Sequence, residues 1–349
     1  MQVLQRIPAH AQERKTVREN RNVVGAARVG SGFAKIVDMS RAASAPGRVM
    51  AFAAGALAVL LLSRVPSATG VEQLWVQPEP GRDLFHGVGG PRLAPDPLGM
   101  YQVIGVKKGG FSSGYTVRDP HGRVWSAKLY PEARTEVVAS RILWAVGYHQ
   151  PPAYTLEQWS ATGAKGPNPQ AVARFREKKP DFHGLKEAGT WSYSDNPFVG
   201  TRPLAGLLVL NVMLGNADMK AGNNRLYTLN RPVEGATRWY VARDLGSTFG
   251  RTRILDSPRD DIEAFDSTPF INGVRHGTVE FEYRGIYPAP LRNVSVADVR
   301  WICTLLSRLT DQQWADAFRA GGYLQPTAQR YIRRLKIRIA EGLALPDER

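Results

Sequence analysis

The clearest hydrophobic pattern in the chain is the nearly unbroken apolar run at residues 204–214, which predicts a buried helix. Thr201 precedes this run as a candidate N-cap, and Pro203 falls in the first turn, where a helix tolerates proline. Residues 225–229 and 238–242 are short runs rich in aromatic and β-branched side chains, with a turn-like sequence between them. We therefore predict a helix followed by a β-hairpin.

A second patterned region lies upstream. Residues 101–106, 115–118 and 123–130 have the composition of three strands, separated by the glycine-rich sequence KKGGFSSG and by the turn sequence DPHG. The stretch 132–146 follows with apolar residues on one helical face. This order indicates a β-meander that leads into a helix.

The remaining segments complete the predicted architecture. The sequences SVADVRWICTLLSRL and DQQWADAFRAGG predict capped amphipathic helices, and 328–343 predicts a basic amphipathic helix. Residues 158–189 are polar and rich in Gly, Pro and Lys, which favours a hinge or an inserted loop. We expect an α+β protein in which a small β-meander with one helix precedes a mainly helical part that carries the hairpin.

Polar residues suited to phosphoryl transfer stand at both ends of the predicted hairpin. Asp218, Lys220 and Asn223 precede it in the spacing D-x-K-x-x-N, and Asp244 follows it at the start of D-L-G. A carboxylate can take the proton of an attacking hydroxyl, a lysine can neutralise phosphate charge, and Asn and Asp oxygens can bind Mg²⁺. Because Asn, Asp and Gly are also common turn formers, a plain connecting loop is the alternative interpretation.

The glycine-rich sequence offers a place for phosphate groups. Gly109, Gly110 and Gly114 leave the backbone N–H groups open, while Ser112 and Ser113 add hydroxyl donors. An ordinary flexible hairpin is the alternative.

A candidate ion pair follows this loop. Lys128 ends the third predicted strand, and Glu132 and Glu136 share one face of the next helix. We favour Glu136 as the partner of Lys128, because the helix dipole already explains a glutamate in the first turn.

These motifs occur in an order that resembles the protein-kinase-like superfamily over roughly residues 100–250. The sequences GNNRLY and YVARDLGSTFG resemble the CotH-type spore-coat kinases, whose pattern has paired asparagines before a strand and then D-L-D-x-x-F-G. This chain has Gly246 in place of the second aspartate, and Asn224 beside Asn223 offers a further oxygen ligand. The resemblance implies a bilobal kinase-like fold with ATP and Mg²⁺ as cofactors.

The resemblance also implies a role for each candidate residue. Asp218 would be the base for the acceptor hydroxyl, Lys220 would lie near the γ-phosphate, and Asn223 and Asp244 would bind magnesium. The implied nucleotide-binding residues are Gly109, Gly110, Ser112, Ser113, Gly114, Lys128 and Glu136. The implied N-lobe is 71–157 and the C-lobe 201–349, with a hinge or insert at 158–200.

The N-terminal 70 residues differ from the rest. Residues 1–48 hold nine Lys or Arg and three acidic residues, which indicates a disordered or non-native extension. The 14 apolar residues 49–62 follow basic residues and precede small ones, so 49–70 has the layout of a signal peptide. We expect export to the periplasm or the exterior with cleavage near 69–71, and transient membrane association through 49–62. A signal-anchor that keeps the protein on the membrane is the alternative.

Charge narrows the class of partner. The formal net charge is +15, from 46 Lys and Arg against 31 Asp and Glu. This charge favours anionic partners such as a nucleotide, and no specific nucleic-acid motif accompanies it. The six histidines and Cys303 form no metal-ligand spacing, and Cys303 falls in an apolar helical pattern that predicts a core position.

We expect an ATP- and Mg²⁺-dependent phosphotransferase that acts on a hydroxyl of a protein or a small molecule. An exported pseudokinase that binds a partner or nucleotide without turnover is the second hypothesis. Gly246 favours the second hypothesis, and the intact D-x-K-x-x-N favours the first. Transfer of another group, such as AMP, is a third.

Overall fold

The structure is a computed structural model that describes residues 70–107, 109–163, 171–253 and 257–346. The predicted extension 1–48 and the apolar run 49–62 lie outside the described residues. Among the described helices, none is both long and apolar enough to cross a bilayer.

The first half of the described chain is built on one sheet. Its elements are β1 (Met100–Lys107), β2 (Gly114–Arg118), β3 (Val124–Leu129), helix α1 (Glu132–Ala145), β4 (Tyr154–Leu156), β5 (Ser160–Thr162) and β6 (Ala173–Glu177). The strand order is β4-β6-β3-β2-β1-β5, antiparallel except for the parallel pair of β1 and β5. The predicted meander and the helix after it are therefore present.

Aromatic side chains fill one face of this sheet. Tyr101, Trp125 and Phe175 are buried on β1, β3 and β6, and the rings of Tyr101 and Phe175 lie 5.1 Å apart. Alternation along each strand sends the neighbouring side chains to the opposite face. On β6 those neighbours are Arg174 and Arg176, which face helix α1.

The segment predicted as a hinge or insert, 158–200, contributes three strands. β5 and β6 belong to the first sheet, and β7 (Lys186–Gly189) belongs to a second sheet. The arginines on one face of β6 make its sequence polar, although Ala173 and Phe175 keep a period-two apolar pattern on the other.

The second half begins with the predicted helix and hairpin. Helix α2 (Arg202–Met213) starts at Thr201, whose side chain accepts a hydrogen bond from the Leu204 N–H at 3.4 Å. Strands β8 (Asn224–Val233) and β9 (Ala236–Ala242) form the hairpin, and the sheet order is β7-β8-β9. The polar loop between α2 and β8 is thus held by regular elements on both sides.

Helices complete this half. Helix α3 (Ile262–Ser267) and the hairpin of β10 (Ile271–Arg275) and β11 (Thr278–Phe281) precede helices α4 (Val296–Leu306), α5 (Asp311–Ala320) and α6 (Gln325–Leu343). Capping boxes start α4 and α5. Cys303 is fully buried in the core that α2, α4 and α6 share, as predicted. The fold is therefore α+β, as predicted, and its arrangement is consistent with the predicted bilobal, kinase-like organisation.

His149 provides a pH-dependent contact between the two halves. Its ring stacks on Trp239 of β9 with centroids 4.6 Å apart, and Nε2 lies 2.7 Å from the carbonyl oxygen of Glu72. The pKa of His149 is lowered to about 4, chiefly because the ring is buried and also because Arg82 is nearby, while the Glu72 contact opposes the shift. The folded protein therefore keeps this imidazole neutral at a pH where the unfolded chain protonates it.

We predict that the free energy of unfolding falls as the pH drops from 6.5 towards 4. Above pH 6.5 the stabilising contribution of the neutral His149 is fully present. Between pH 7 and pH 4.5 the free energy of unfolding should decrease by roughly 2–3 kcal/mol more in the native protein than in His149→Gln, which cannot protonate. Urea denaturation at both pH values measures this difference. Equal pH dependence in the two proteins would contradict the assignment.

Candidate active site

A cavity with a volume of about 520 Å³ lies between the first sheet and the β8–β9 hairpin. Lys128 on β3, Glu136 on α1 and Arg174 on β6 line it from one side, while Tyr227 on β8 and Asp244 line it from the other. The cavity therefore collects charged side chains from both halves of the chain.

Lys128 is at the centre of these charges. Its side chain is 4% exposed, and Nζ lies 2.7 Å from Asp244 Oδ1, 2.8 Å from Glu136 Oε2 and 3.4 Å from Glu132 Oε2. Burial alone lowers the pKa of Lys128, but the attraction of Glu136 and Asp244 outweighs burial and raises the pKa above its ordinary value. The ammonium is therefore permanently charged at neutral pH.

Glu136 is buried and shared by three cations. Besides Lys128, Arg174 Nε lies 3.2 Å and Arg176 Nη2 2.5 Å from Glu136 Oε1. Burial opposes its ionisation, but these cations hold the pKa of Glu136 well below its ordinary value. Glu136 thus lies where the sequence analysis expected a partner for Lys128.

Glu132 has contacts that the sequence analysis did not anticipate. In addition to Lys128, it pairs with Arg259, whose guanidinium stacks 3.7 Å from the ring centroid of Phe111. A Cβ added at Gly246 would stand 2.6 Å from Glu132 Cβ. The Glu132 side chain therefore fills the space that any side chain at position 246 needs, which explains glycine at this position.

The loop before the hairpin brings the predicted catalytic residues together. Lys220 Nζ lies 2.5 Å from Asp218 Oδ2, and Asn223 Nδ2 donates to the Asp218 carbonyl at 2.8 Å. The Asp244 N–H donates to the Asn223 carbonyl at 3.2 Å, and residue 218 forms a parallel bridge to Ile286. Asp218, Lys220, Asn223 and Asp244 therefore form one local group.

Buried amides support this loop and were missed from the sequence. Asn216 Oδ1 accepts hydrogen bonds from the Asp218 N–H at 3.1 Å and from Ser247 Oγ at 2.6 Å. Asn216 Nδ2 donates to Asn211 Oδ1 on α2 at 2.7 Å. These contacts tie the loop to α2 and to the segment after Asp244, and a single Asn in a loop sequence gives no signal of them.

The glycines and serines of the glycine-rich sequence pack against β3 and α1. Ser112 is 1% exposed, and its Oγ accepts a hydrogen bond from the Glu132 N–H at 3.3 Å. Gly114 approaches β3 so closely that an added Cβ would stand 2.5 Å from the Ala127 carbonyl oxygen. Lys107 at the start of the glycine-rich sequence lines the cavity, whereas the described residues 109–114 are not among its lining residues. Their predicted contact with phosphate stays a prediction.

Several cations of the cavity were also outside the sequence prediction. Arg174 and Arg176 are on β6, and Arg225 and Arg243 flank Glu187 of β7 across the cavity. In the sequence A-R-F-R-E, arginine alternates with apolar residues. This alternation indicates that Arg174 and Arg176 share one face of a strand, but the sequence has no comparable pattern for Arg225 and Arg243.

No protein-family model and no curated protein sequence matches the chain. A solved structure described as a Helicobacter pylori proinflammatory kinase, CtkA, is similar at a TM-score of 0.42 and 11% identity, over 68% of this chain and 92% of that one. The α+β fold brings Lys128, Glu136 and Asp244 together in one cluster at the cavity.

Mutation of Gly246 tests whether the Glu132 side chain fills the space beside position 246. Gly246→Asp places a side chain against Glu132, so we expect a loss of roughly 1–3 kcal/mol in the free energy of unfolding, the usual cost of overpacking. Glu132→Gly in the same chain removes the Cβ, Cγ and Cδ atoms that stand within 3 Å of the added Cβ, so Gly246→Asp should cost less stability in this background. Chemical denaturation of the single and double variants measures both effects.

Gly273→Ala is the matched control, because an added Cβ there meets nothing within 4 Å. A Gly246→Asp protein as stable as this control would show that Glu132 does not fill the space at position 246.

Proposed function

We propose that the protein is an ATP- and Mg²⁺-dependent phosphotransferase that acts on a hydroxyl group of a protein or small molecule. The observation that carries this proposal is the contact of Lys128 with Asp244, which joins the two halves of the chain at the cavity beside the D-x-K-x-x-N loop. The motif resemblance to the CotH-type kinases belongs to this proposal, with Gly246 as the difference.

The charge of the cavity supports a polyanionic ligand. Its lining includes seven Lys or Arg side chains and four Asp or Glu side chains, an excess of three positive charges. Guanidinium and ammonium groups bind phosphate oxygens through charge-assisted hydrogen bonds. A nucleoside triphosphate with one bound Mg²⁺ has a net negative charge that is comparable in size to the positive excess of the cavity. The cavity also exceeds the smallest size typical of small-molecule sites, about 300 Å³.

The oxygen donors around the D-x-K-x-x-N loop suit Mg²⁺. The Asp218 Oδ1 atom is buried without a hydrogen-bond partner among the described residues, and the Asp244 side chain is 43% exposed. Asp244 and the side-chain oxygen of Asn223 would hold the ion, which would neutralise phosphate charge. Among the described residues no group of three or more His, Cys, Asp or Glu is arranged to hold a metal. Magnesium commonly keeps several waters and uses phosphate oxygens, so two protein ligands suffice.

Asp218 and Lys220 have the positions for the chemical step. The acceptor oxygen forms a bond to the γ-phosphorus as the bond from that phosphorus to the β–γ bridging oxygen breaks, and ADP leaves. The hydroxyl proton passes to the Asp218 carboxylate. Lys220, 2.5 Å from Asp218 Oδ2, orients this carboxylate and faces solvent with 47% of its side chain exposed.

A pseudokinase is the second candidate, because Ser112 is buried against Glu132 and the described residues 109–114 are not among those that line the cavity. In that case the cavity binds nucleotide or a partner without turnover. Export through residues 49–70 remains a prediction, and so does the identity of the acceptor.

Two variants separate binding from chemistry. Lys128→Met removes the central ammonium, so ATP affinity in the presence of Mg²⁺ should fall by at least about tenfold. Asp218→Asn keeps the shape of the loop and removes the base, so ATP affinity should stay near normal while turnover falls by roughly two to four orders of magnitude. Calorimetric titration measures affinity, and transfer of labelled γ-phosphate to a panel of hydroxyl acceptors measures turnover.

Asp195→Asn is the control for Asp218→Asn, because Asp195 is an exposed carboxylate outside the cavity lining. ATP binding without transfer to any acceptor would favour the pseudokinase. ATP affinity that Lys128→Met leaves unchanged would reject the cavity as the nucleotide site.

A further inference from the structure

A second, smaller cavity of about 170 Å³ lies beyond the D-L-G segment, in the second half of the chain. Three guanidinium groups and three hydroxyl groups line it, from Arg251, Thr252, Arg253, Ser267, Thr268 and Arg284. We call it the arginine pocket. At about 30 Å³ for each water, its volume holds a phosphoryl group with a short attached chain but no drug-sized ligand.

The pocket has a surplus of positive charge. Glu282 is the one carboxylate among its described lining residues, and it lies 2.7 Å from Arg284. Three arginines against one glutamate leave an excess of two positive charges. This excess equals the charge of a phosphomonoester dianion.

Two arginines of α6 hold the backbone of the pocket, and of these Arg338 is buried and Arg334 half-buried. Arg338 is 1% exposed and donates to the carbonyls of Thr268 and Phe265, each at 2.9 Å, and Arg334 donates to the Thr268 carbonyl at 2.8 Å. The Thr268 carbonyl accepts hydrogen bonds from both residues. The backbone at Thr268, which lines the pocket, is therefore fixed next to two further positive charges. The charge of the buried Arg338 is weakly screened by salt.

Hydroxyl groups hold the pocket arginine that is least exposed. Arg251 donates through Nε to Thr268 Oγ1 at 3.3 Å and through Nη2 to Ser267 Oγ at 3.0 Å. A hydroxyl that accepts from a guanidinium can still donate its own proton. Ser267 Oγ and Thr268 Oγ1 currently donate to backbone carbonyls of α3, and Arg253 and Arg284 are exposed for a ligand.

The arginine pocket lies close to the proposed base. Residue 286 forms a parallel bridge with Asp218, and its N–H donates to the Ala217 carbonyl at 2.8 Å. Arg284 is two residues earlier, a backbone span of at most about 7 Å. A single small molecule can therefore reach from the pocket towards Asp218.

We propose that the arginine pocket binds a phosphomonoester group on a small-molecule acceptor whose free hydroxyl lies at Asp218. The binding of a phosphomonoester is inferred from the residues that line the arginine pocket. The role of the pocket as an acceptor site rests on the proposed phosphotransferase function. A small molecule is favoured over a phosphopeptide because Pro269 is the one apolar residue among the described lining, so the pocket offers no apolar contacts for neighbouring side chains.

Titration of the full chain with glycerol 3-phosphate, in buffer free of phosphate and sulfate, tests the site by calorimetry. We expect binding to the native protein and to Lys128→Met, and an affinity at least about tenfold weaker in the double variant Arg253→Gln/Arg284→Gln. Arg92→Gln/Arg319→Gln is the matched control. Both are exposed arginines elsewhere on the surface, and each is paired with its own aspartate. It should bind as the native protein does.

Unchanged affinity in Arg253→Gln/Arg284→Gln would overturn the proposal, as would loss of binding in Lys128→Met, which would place the phosphate in the larger cavity. A phosphoserine peptide that binds more than about tenfold tighter than glycerol 3-phosphate would overturn the choice of a small molecule. A parallel titration with ATP and Mg²⁺ keeps the two proposals apart. Glycerol 3-phosphate binding without any ATP binding would support the pocket and reject the phosphotransferase.

Discussion

The rest of the structure depends on the burial of one ammonium group, that of Lys128. A buried charge without partners costs several kcal/mol, so the fold must bring carboxylates to it. Glu136 comes from the helix after the first sheet, and Asp244 comes from the end of the hairpin, 116 residues along the chain. The ion pairs of Lys128 therefore join the sheet, the helix and the end of the hairpin at the cavity.

The same requirement explains why the cavity is basic. Glu136 contacts Lys128, Arg174 and Arg176, and the residues that line the cavity carry seven positive against four negative charges. Electrostatic attraction is stronger at a partly buried site than at the surface, so this excess favours an anionic ligand. The proposed nucleotide site and the arginine pocket thus share one principle: fixed, partly buried guanidinium groups exceed their carboxylate partners.

The sequence predicted what local patterns determine. The apolar run of α2 with Thr201 as N-cap, the hairpin and the meander depend on short-range periodicity and turn residues, and the structure confirms them. Lys128 and Glu136 are close along the chain, so their proximity followed from a strand and a helix in succession. The contacts of Arg174 with Glu136 and of Glu132 with Gly246 could not be predicted, because they depend on how distant strands and helices pack. The packing of the glycine loop against α1 depends on Arg259 in the same way.

A double-mutant cycle on Lys128→Met and Glu136→Gln tests the central claim most directly, with the free energy of unfolding as the measured quantity. Removing one partner of a buried ion pair typically costs about 3–5 kcal/mol. Glu136→Gln should cost more than Lys128→Met because Arg174 and Arg176 then lose their carboxylate partner, whereas Lys128 keeps Asp244. The double variant should lose less stability than the sum of the single variants, with a coupling of at least about 1 kcal/mol. Strictly additive losses would contradict the claim that this ion pair organises the cavity.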